Sequence, residues 1–528
     1  MSTILDSLSL IIAGLLIFIN VLALTYYWQL KEYRYDRMFD FLRFDDGLYL
    51  LFSPHNLLIS ALILASAGLQ GSYHSPYSPY ILFSYLFGAL VIQTWIIYKL
   101  GLKRPQFTAK TIGIVAAALV ISAALIIWIQ ISYLLPLITL AQIIIVSVLC
   151  LALAIPTQLA KGYYINKATT KIKNRSNLIS IGITGSYGKS STKEFIAQLL
   201  STKNTVLKTP RNINTEIGVA KLILNKLQPT DQIFVAEMGA YKSGEIKTLA
   251  QMVQPQIGVI TAINAQHLSL FGSIEKIKQT KAELVQNLLP NGTAILNGDD
   301  ANCRTIGQEL PATTTVHYYS IQPQSDASCK LINDNTVQLF DQTLTFSANL
   351  PAPYLIQNLL PALLTANLLG MTINELTQAI PNLTLADNTI KTYQTANNIT
   401  VIDDSYNANP SGLQAALNYL SQQTAANKFI VTLGMLELGK ESYQAHKAIA
   451  ELIIKHNIHC FVTRHTTFQH FTKAAQALNT DPTTNFTYIE NLKDVTPIVL
   501  QKIQPGDAIL LANRVPQSLK TALKQPQS

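Results

Sequence analysis

Hydrophobic positions change their pattern along this chain at about residue 157. Before that point they come in blocks, near 8–28, 53–71, 79–100, 111–131 and 134–156. Each block is close to the roughly 20 residues that cross a bilayer as a helix. From 177 onward the apolar runs are short: "NLISIGIT", "QIFVAEM", "IGVITAI" and "GTAILN", the texture of buried parallel strands. Between them lie stretches such as "SIEKIKQTKAELVQNLL", apolar at helical spacing. This alternation predicts a doubly wound parallel sheet. "NTVQLFDQTLTFSANL" (335–350) instead alternates with period two and predicts a small antiparallel insert. A second α/β run begins near 400 with "ITVIDD", "KFIVTLG", "HCFVT" and "DAILLA"; the polar stretch "ADNTIKTYQTANN" marks a boundary near 385–398.

Composition sharpens this division. At 528 residues the chain exceeds what one hydrophobic core organises. Only 13% of residues are charged and 49% are hydrophobic, with a mean hydropathy of +0.24. That excess belongs in lipid. Lys31, Arg34, Arg37 and Arg43 follow the first block; Lys99, Lys103, Arg104 and Lys110 follow the third. "GSYHSPYSP" (71–79) and the link near Ser132 have no Lys or Arg, whereas "KGYYINKATTKIKNR" (161–175) is strongly basic. The positive-inside rule then predicts five spans in the cell membrane, with the N-terminus outside and everything past about 158 cytoplasmic. The basic segment is placed to attract anionic lipids or a pyrophosphate headgroup. The net charge of +9 comes with no Lys/Arg block interleaved with aromatics, so no nucleic-acid partner is expected. Four scattered cysteines with no CxxC spacing fit a reducing compartment, with neither disulfide framework nor zinc site.

Candidate chemistry begins where the first short strand ends. Thr184, Gly185, Ser186, Tyr187, Gly188, Lys189, Ser190 and Ser191 form a glycine turn running into a helix. Glycines let backbone N–H groups face anionic oxygens, and a helix N-terminus adds partial positive charge. Lys189 is suited to terminal phosphates and the Ser190 hydroxyl to Mg²⁺. The strict GxxxxGK[ST] spacing is absent, because Gly182 is one residue too far and position 183 is Ile. Glu237 falls at the end of a predicted strand, His267 just past the next one, and Lys281 on the following helix. Taken singly they read as a helix-capping acid, a surface histidine and a solvated lysine. In strand order after a phosphate loop they read as one site.

These stretches resemble the Mur ligase family, over roughly residues 177–528. The resemblance rests on "TGSYGKSSTKE", "RNINTEIGVA", "AEMGA…GEI", "INAQHLSLFGS", "KAEL", "LNGDD", "DDSYNANPSG" and "LGMLELG". It is strongest to the branch that adds D-alanyl-D-alanine to UDP-N-acetylmuramoyl-tripeptide. It implies ATP-dependent amide-bond formation through an acyl phosphate, with ATP and Mg²⁺ as cofactors. Gly188, Lys189 and Ser190 would hold ATP and Mg²⁺, with Glu237 and His267 serving a second Mg²⁺. Lys281 matches a lysine that is carbamylated in relatives. Asn358 matches the adenine contact and Asp404 the ribose contact. Asn212 and Asn214 fall on the substrate side of the ATP site, and their amides suit a peptide or sugar. The implied partners are a muramoyl peptide or lipid-linked precursor, an amino-acid or dipeptide amine, and membrane lipids. The expected fold is an α-helical membrane module (1–157), a basic linker (158–176), a P-loop-type central domain with a parallel sheet (177–390) and a smaller Rossmann-like C-terminal α/β domain (391–528).

The chain departs from the family pattern at four places. Ala352-Pro353-Tyr354 stands where relatives have Gly-x-His, and Thr389, with Lys391 nearby, where they have a phosphate-directed arginine. Ala512-Asn513-Arg514-Val515 replaces Lys-Gly-Ser-Arg, and Met435 replaces an aspartate. Five predicted spans stand where soluble relatives have the domain that grips the UDP-sugar. Three readings stay open: a membrane-anchored ligase of cell-wall synthesis, a ligase of the same chemistry making poly-glutamate or modifying a lipid-linked precursor, and a non-catalytic ATP-binding scaffold.

Overall fold

A computed structural model describes residues 2–44, 78–100, 104–129, 135–211, 213–264, 268–346, 354–385, 390–405, 410–436, 438 and 441–524. The chain divides into two compact units, Met1–Ala160 and Lys161–Ser528.

The first unit is helical: α1 (Ser2–Leu30), α2 (Tyr35–Phe44), α3 (Ser78–Leu100), α4 (Ala109–Ile129), α5 (Leu135–Ala152) and the start of α6 (Ala154–Lys173). Ile17, Val21, Trp28, Ile114, Ala118 and Val146 pack its centre. Polar side chains among these helices bond one another. Gln142 Nε2 donates to Ser122 Oγ at 2.9 Å, and Gln93 Nε2 to Asn20 Oδ1 at 2.9 Å. Such pairs remove the cost of amides in an apolar setting. Val120, Ile127, Trp128 and Ile144 point outward and stay exposed. Among the described residues three helical stretches are long and apolar enough to cross a membrane: Ile4–Leu30, Ala109–Trp128 and Ala141–Lys173; Pro79–Trp95 is a shorter apolar helix. These fall on the first, fourth, fifth and third expected spans. The second lies outside the described residues.

The stretch 158–176, expected as a basic linker, is helical to Lys173. Within the second unit Ala168 and Ile172 are buried against Val219, Ala220 and Ile223 of α7 (Glu216–Lys226). Lys161 Nζ pairs with Glu216 Oε1 at 2.7 Å. Lys171 Nζ donates to the carbonyls of Ile223 (2.9 Å) and Leu224 (3.1 Å), near the helix end where a cation is favoured. Arg175 donates to the carbonyls of Gln228, Pro229 and Asp231. The basic stretch is therefore not given over to lipid as a whole. Lys161, Lys171 and Arg175 serve the protein, while Lys167, Lys173 and Tyr163 stay exposed.

The second unit holds two sheets. The first contains β1 (Ile179–Thr184), β2 (Val206–Lys208), β3 (Ile233–Glu237), β4 (Ile257–Ile260), β5 (Thr293–Asn297), β6 (Thr315–Ser320), β7 (Cys329–Asn333), β8 (Thr336–Leu339) and β9 (Gln342–Thr345). Their order is β2-β3-β1-β4-β5-β6-β7-β8-β9. Pairing is parallel through β7; β7-β8-β9 is an antiparallel meander, so the expected insert continues the same sheet. The continuous apolar runs are explained by cores on both faces. The second sheet, β10-β11-β15-β12-β13-β14, comprises β10 (Lys391–Gln394), β11 (Thr400–Asp404), β12 (Lys428–Thr432), β13 (His459–Val462), β14 (Phe486–Tyr488) and β15 (Ala508–Ala512). It is parallel except for β10 at its edge. Leu355, on the helix Tyr354–Leu368, is fully buried in the second sheet's core, and Leu385 packs against the cores of both sheets.

Candidate functional site

Strand β1 lies between β3 and β4, with Ile183 in register with both Glu237 and Val259. The turn after it therefore opens where strand order reverses, the usual place for ligands in such sheets. Gly185 (φ 144°) and Gly188 (φ 81°) adopt backbone that other residues avoid. A Cβ on Gly188 would lie 2.2 Å from Asn358 Oδ1, and one on Gly185 2.1 Å from Thr261 Oγ1. The loop is pinned from the β4 side. Ser186 N donates to Ala262 O at 2.7 Å, Asn264 N to Ser186 Oγ at 2.9 Å, and Thr261 Oγ1 to Tyr187 O. The Thr261 carbonyl in turn accepts from Asn297 Nδ2 and Tyr319 Oη, each at 2.9 Å. Helix α8 (Lys189–Leu200) starts directly from this turn, presenting its unpaired N-terminal amides.

Lys189 is half-buried and folds back on the loop, donating to Gly185 O (2.5 Å) and Ser186 O (3.2 Å). Burial lowers its pKa and Glu237 opposes that shift. Glu237 accepts from Ser190 Oγ at 2.8 Å and Lys193 Nζ at 3.3 Å on one oxygen, and from Asn214 Nδ2 at 3.1 Å on the other. Its backbone N–H donates to Thr209 Oγ1 at 2.9 Å. Burial favours the protonated acid, but Lys193, Lys189 and the Asn214 and Ser190 hydrogen bonds outweigh it, so its pKa is lowered. Lys281 is buried on α10 (Ile274–Gln286), the helix α9 (Glu245–Val253) being its neighbour. Burial and then the Lys189 charge push its pKa down to about 7, against Glu245 and Glu283. Those two carboxylates are already engaged at the start of α9: Glu245 accepts from Tyr241 N, and Glu283 from Gly244 N, each at 2.7 Å.

The structure thus brings together Lys189, Ser190, Glu237, Asn214 and Lys281. Asn358 is buried against Gly188, and its carbonyl accepts from Thr192 Oγ1 at 3.3 Å. Asp404 ends β11 in the second sheet, in register with Ala512. His267 and Asn212 lie outside the described residues, as do Ala352, Pro353 and Thr389. Among the described residues no three of His, Cys, Asp and Glu converge as a metal cluster. One carboxylate and one hydroxyl beside the glycine turn nevertheless suit Mg²⁺, which keeps waters and takes its other ligands from phosphates where these are bound.

Two of the four departures, Met435 and residues 512–515, lie at the carboxyl ends of the second sheet. Asn513 Nδ2 donates to Gly434 O at 2.6 Å, and Arg514 N to Ser405 O at 3.0 Å. Met435 N donates to His446 Nε2 at 3.0 Å, and His446 Nδ1 donates to Ser442 O at 2.7 Å. This fixes the neutral imidazole. Burial pushes the His446 pKa down to about 4. Lys193, Thr261 and His446 are absent from the residues singled out in the sequence. Lys193 carried a signal, an ionisable residue three positions after Ser190 on the same helix face. Thr261 acts through partners distant in the chain, and His446 through a loop contact to Met435 that no motif marks.

Residues 183–366 match the Mur ligase middle domain and residues 390–513 the glutamate ligase domain of Mur ligases. The UDP-N-acetylmuramoyl-tripeptide–D-alanyl-D-alanine ligase of Rickettsia prowazekii is 32% identical over 288 residues, covering 52% of this chain and 62% of that one. The Escherichia coli ligase of the same name is 30% identical over 277 residues, covering 51% and 61%. The chain thus spans about three fifths of the length of these curated relatives. Among solved structures, MurF from Acinetobacter baumannii aligns with a TM-score of 0.61 at 23% identity, over 69% of this chain and 80% of that one. MurF ligase from Thermotoga maritima, in complex with ADP, aligns at 0.58 and 23%, over 67% and 80%. At that identity the structural likeness speaks for the fold.

Proposed function

We propose that this chain, which belongs to the Mur ligase family through its middle and C-terminal domains, is an ATP-dependent ligase of peptidoglycan precursor synthesis. It joins D-alanyl-D-alanine or a similar amine to the carboxylate of a muramoyl peptide. The observation that carries this reading is the convergence of Lys189, Ser190 and Glu237 at the reversal point of the sheet, with Lys281 in electrostatic reach of Lys189.

The chemistry needs such a set. A donor carboxylate oxygen bonds to the γ-phosphorus while the bond to the β-phosphate oxygen breaks, giving ADP and an acyl phosphate. The amine then attacks the acyl carbon, phosphate leaves, and the amine proton goes to solvent. Lys189 exchanges its two loop carbonyls for phosphate oxygens and lessens the repulsion between anions. Mg²⁺ held by Ser190, and a second Mg²⁺ served by Glu237 and His267, would neutralise charge on the phosphoryl oxygens. A pKa of about 7 leaves much of Lys281 as free amine. Its nitrogen then adds to CO₂ with loss of a proton, giving an anionic carbamate. Asn358 and Asp404 would meet adenine and ribose, and Asn212 and Asn214 the donor. Ordering two domains around the acyl phosphate excludes water from it.

The apolar helices support a membrane-bound enzyme, which we read as multi-pass, N-terminus outside and catalytic domains cytoplasmic, with a lipid-linked donor. What supports the donor is the bond from Lys161 to Glu216, two residues beyond Asn214, which itself bonds Glu237. The stretch that follows the apolar helices is thereby tied to the helix behind the substrate-side loop.

The test is to supply the detergent-purified chain with ATP, UDP-linked or lipid-linked muramoyl tripeptide, and D-alanyl-D-alanine, glutamate or other amines. Product mass is then read. A pentapeptide product is expected, formed faster from the lipid-linked donor. Equal use of the UDP-linked donor removes the membrane part of this reading, a glutamate adduct changes the acceptor, and ADP release without adduct overturns the ligase.

A further inference from the structure

Lys193 is 1% exposed, and a buried ammonium is costly unless closely paired. Its partners are Glu237 at 3.3 Å and Glu194 Oε1 at 3.6 Å. Glu194 also pairs with Lys208, whose side chain reaches the surface from β2. An alternating chain of charge, Lys208–Glu194–Lys193–Glu237, thus runs from solvent to the carboxylate of the site. Ser190 and Lys193 are three residues apart on α8 and reach the same Glu237 oxygen. On the other side Glu237 is tied by Asn214 and Thr209, which bracket the substrate-side loop.

We propose that Lys193 is a positioning residue for the metal-bearing half of the nucleotide site: from behind, it holds the Glu237 carboxylate in place and aimed across Ser190. Lys189 is not a substitute for it, because its ammonium is bonded to the Gly185 and Ser186 carbonyls rather than to Glu237 and is the one turned to the phosphates. Lys193 stays, anchored by Glu194, whether or not nucleotide is bound. A plain structural ion pair would stabilise the domain alone. A positioning pair acts on divalent-cation affinity and leaves nucleotide affinity without metal as it was. This proposal rests on the reading of Ser190 and Glu237 as the metal side of an ATP site.

The experiment compares wild type, Lys193→Met and Lys193→Arg as full chains in detergent. Mn²⁺ affinity in the presence of ADP is measured by electron paramagnetic resonance, and ADP affinity without metal by calorimetry, with thermal melting as the folding check. Lys193→Met is expected to weaken Mn²⁺ binding by about 10- to 100-fold, as other losses of outer partners do, with metal-free ADP affinity within about twofold of wild type. Lys193→Arg should restore most of the loss. Unchanged Mn²⁺ affinity in a folded Lys193→Met overturns the proposal, as does an equal loss of both affinities. Wild type that binds no Mn²⁺ with ADP overturns the site reading itself. Should Lys193→Met not fold, Glu194→Gln, which leaves Glu237 paired, is expected to loosen Mn²⁺ by about threefold, and no change there also overturns the proposal.

Discussion

At the carboxyl end of β1, Lys193, Glu237 and Lys281 are buried beside half-buried Lys189; at the carboxyl ends of β11, β12 and β15 the loops are tied mainly by neutral groups, with Arg464 on the Met435 carbonyl and Asp404 buried as the charged exceptions. His446, Asn513 and Thr467 do that tying, around Gly434 and Met435. Asp403 and Lys520 pair at 3.2 Å nearer solvent. Both places are strand ends in parallel sheets, and under the proposed function the difference lies in what each would be asked to hold. Phosphoryl transfer brings anions together and needs cations aimed beforehand, whatever their burial costs. A site that grips a polar ligand and shapes loops needs fixed donors and acceptors, which neutral groups supply more cheaply.

The sharpest way to break this contrast is Lys189→Ala. Removing the charge aimed at the phosphates should lower turnover by about 10³-fold or more, roughly 4 kcal/mol of transition-state stabilisation. ADP release at the wild-type rate would make the loop structural. Next is Lys281→Ala, expected to reduce turnover by at least about 100-fold. Acetate or formate should restore part of the activity by supplying the missing anion, and a fully active variant removes Lys281 from the chemistry. Gly434→Ala probes the neutral site. Gly434 has φ 87°, and a Cβ there would lie 2.3 Å from Thr467 Oγ1 and 2.7 Å from His446 Nε2. Stability should drop by roughly 2 to 3 kcal/mol in denaturant melts, with ADP affinity unchanged. Gly188→Ala should show the reverse, losing ADP affinity first.

Acid gives the smallest effect. The folded protein holds His446 neutral, with its pKa lowered from 6.5 to about 4. Its contribution is present above pH 6.5 and drains away as pH falls toward 4, because the unfolded chain takes up the proton first. At pH 5 the loss is about 2 kcal/mol. His446→Gln should flatten that slope; an unchanged slope would place the acid sensitivity elsewhere.

Much of the architecture was readable from periodicity, because buried parallel strands are continuous apolar runs and the meander at 336–345 alternates. The glycine turn after β1 was readable because glycines with positive φ leave a mark in the sequence. The helical character of 158–173 was not, since it comes from Ala168 and Ile172 packing on a helix some fifty residues away. Thr261 was hidden for a similar reason: one hydroxyl after a strand says nothing of the loop it clamps. Lys193 carried only its spacing from Ser190 as a signal, and its burial beside Glu237 is what sets it apart.

Leu355 belongs by sequence to the first α/β domain and by packing to the second, and it stands one helical turn before Asn358, which touches Gly188. The chain therefore cannot be divided cleanly near residue 390. A fragment ending there would present a bare leucine, and the complementary fragment would carry an empty socket of the kind that costs about 3 kcal/mol for a lost leucine. Exchanging the C-terminal domain for that of a relative would succeed only if the donor brought a socket of matching shape. The two domains are consequently bound to vary together, and a change in the socket would be felt first as altered nucleotide affinity.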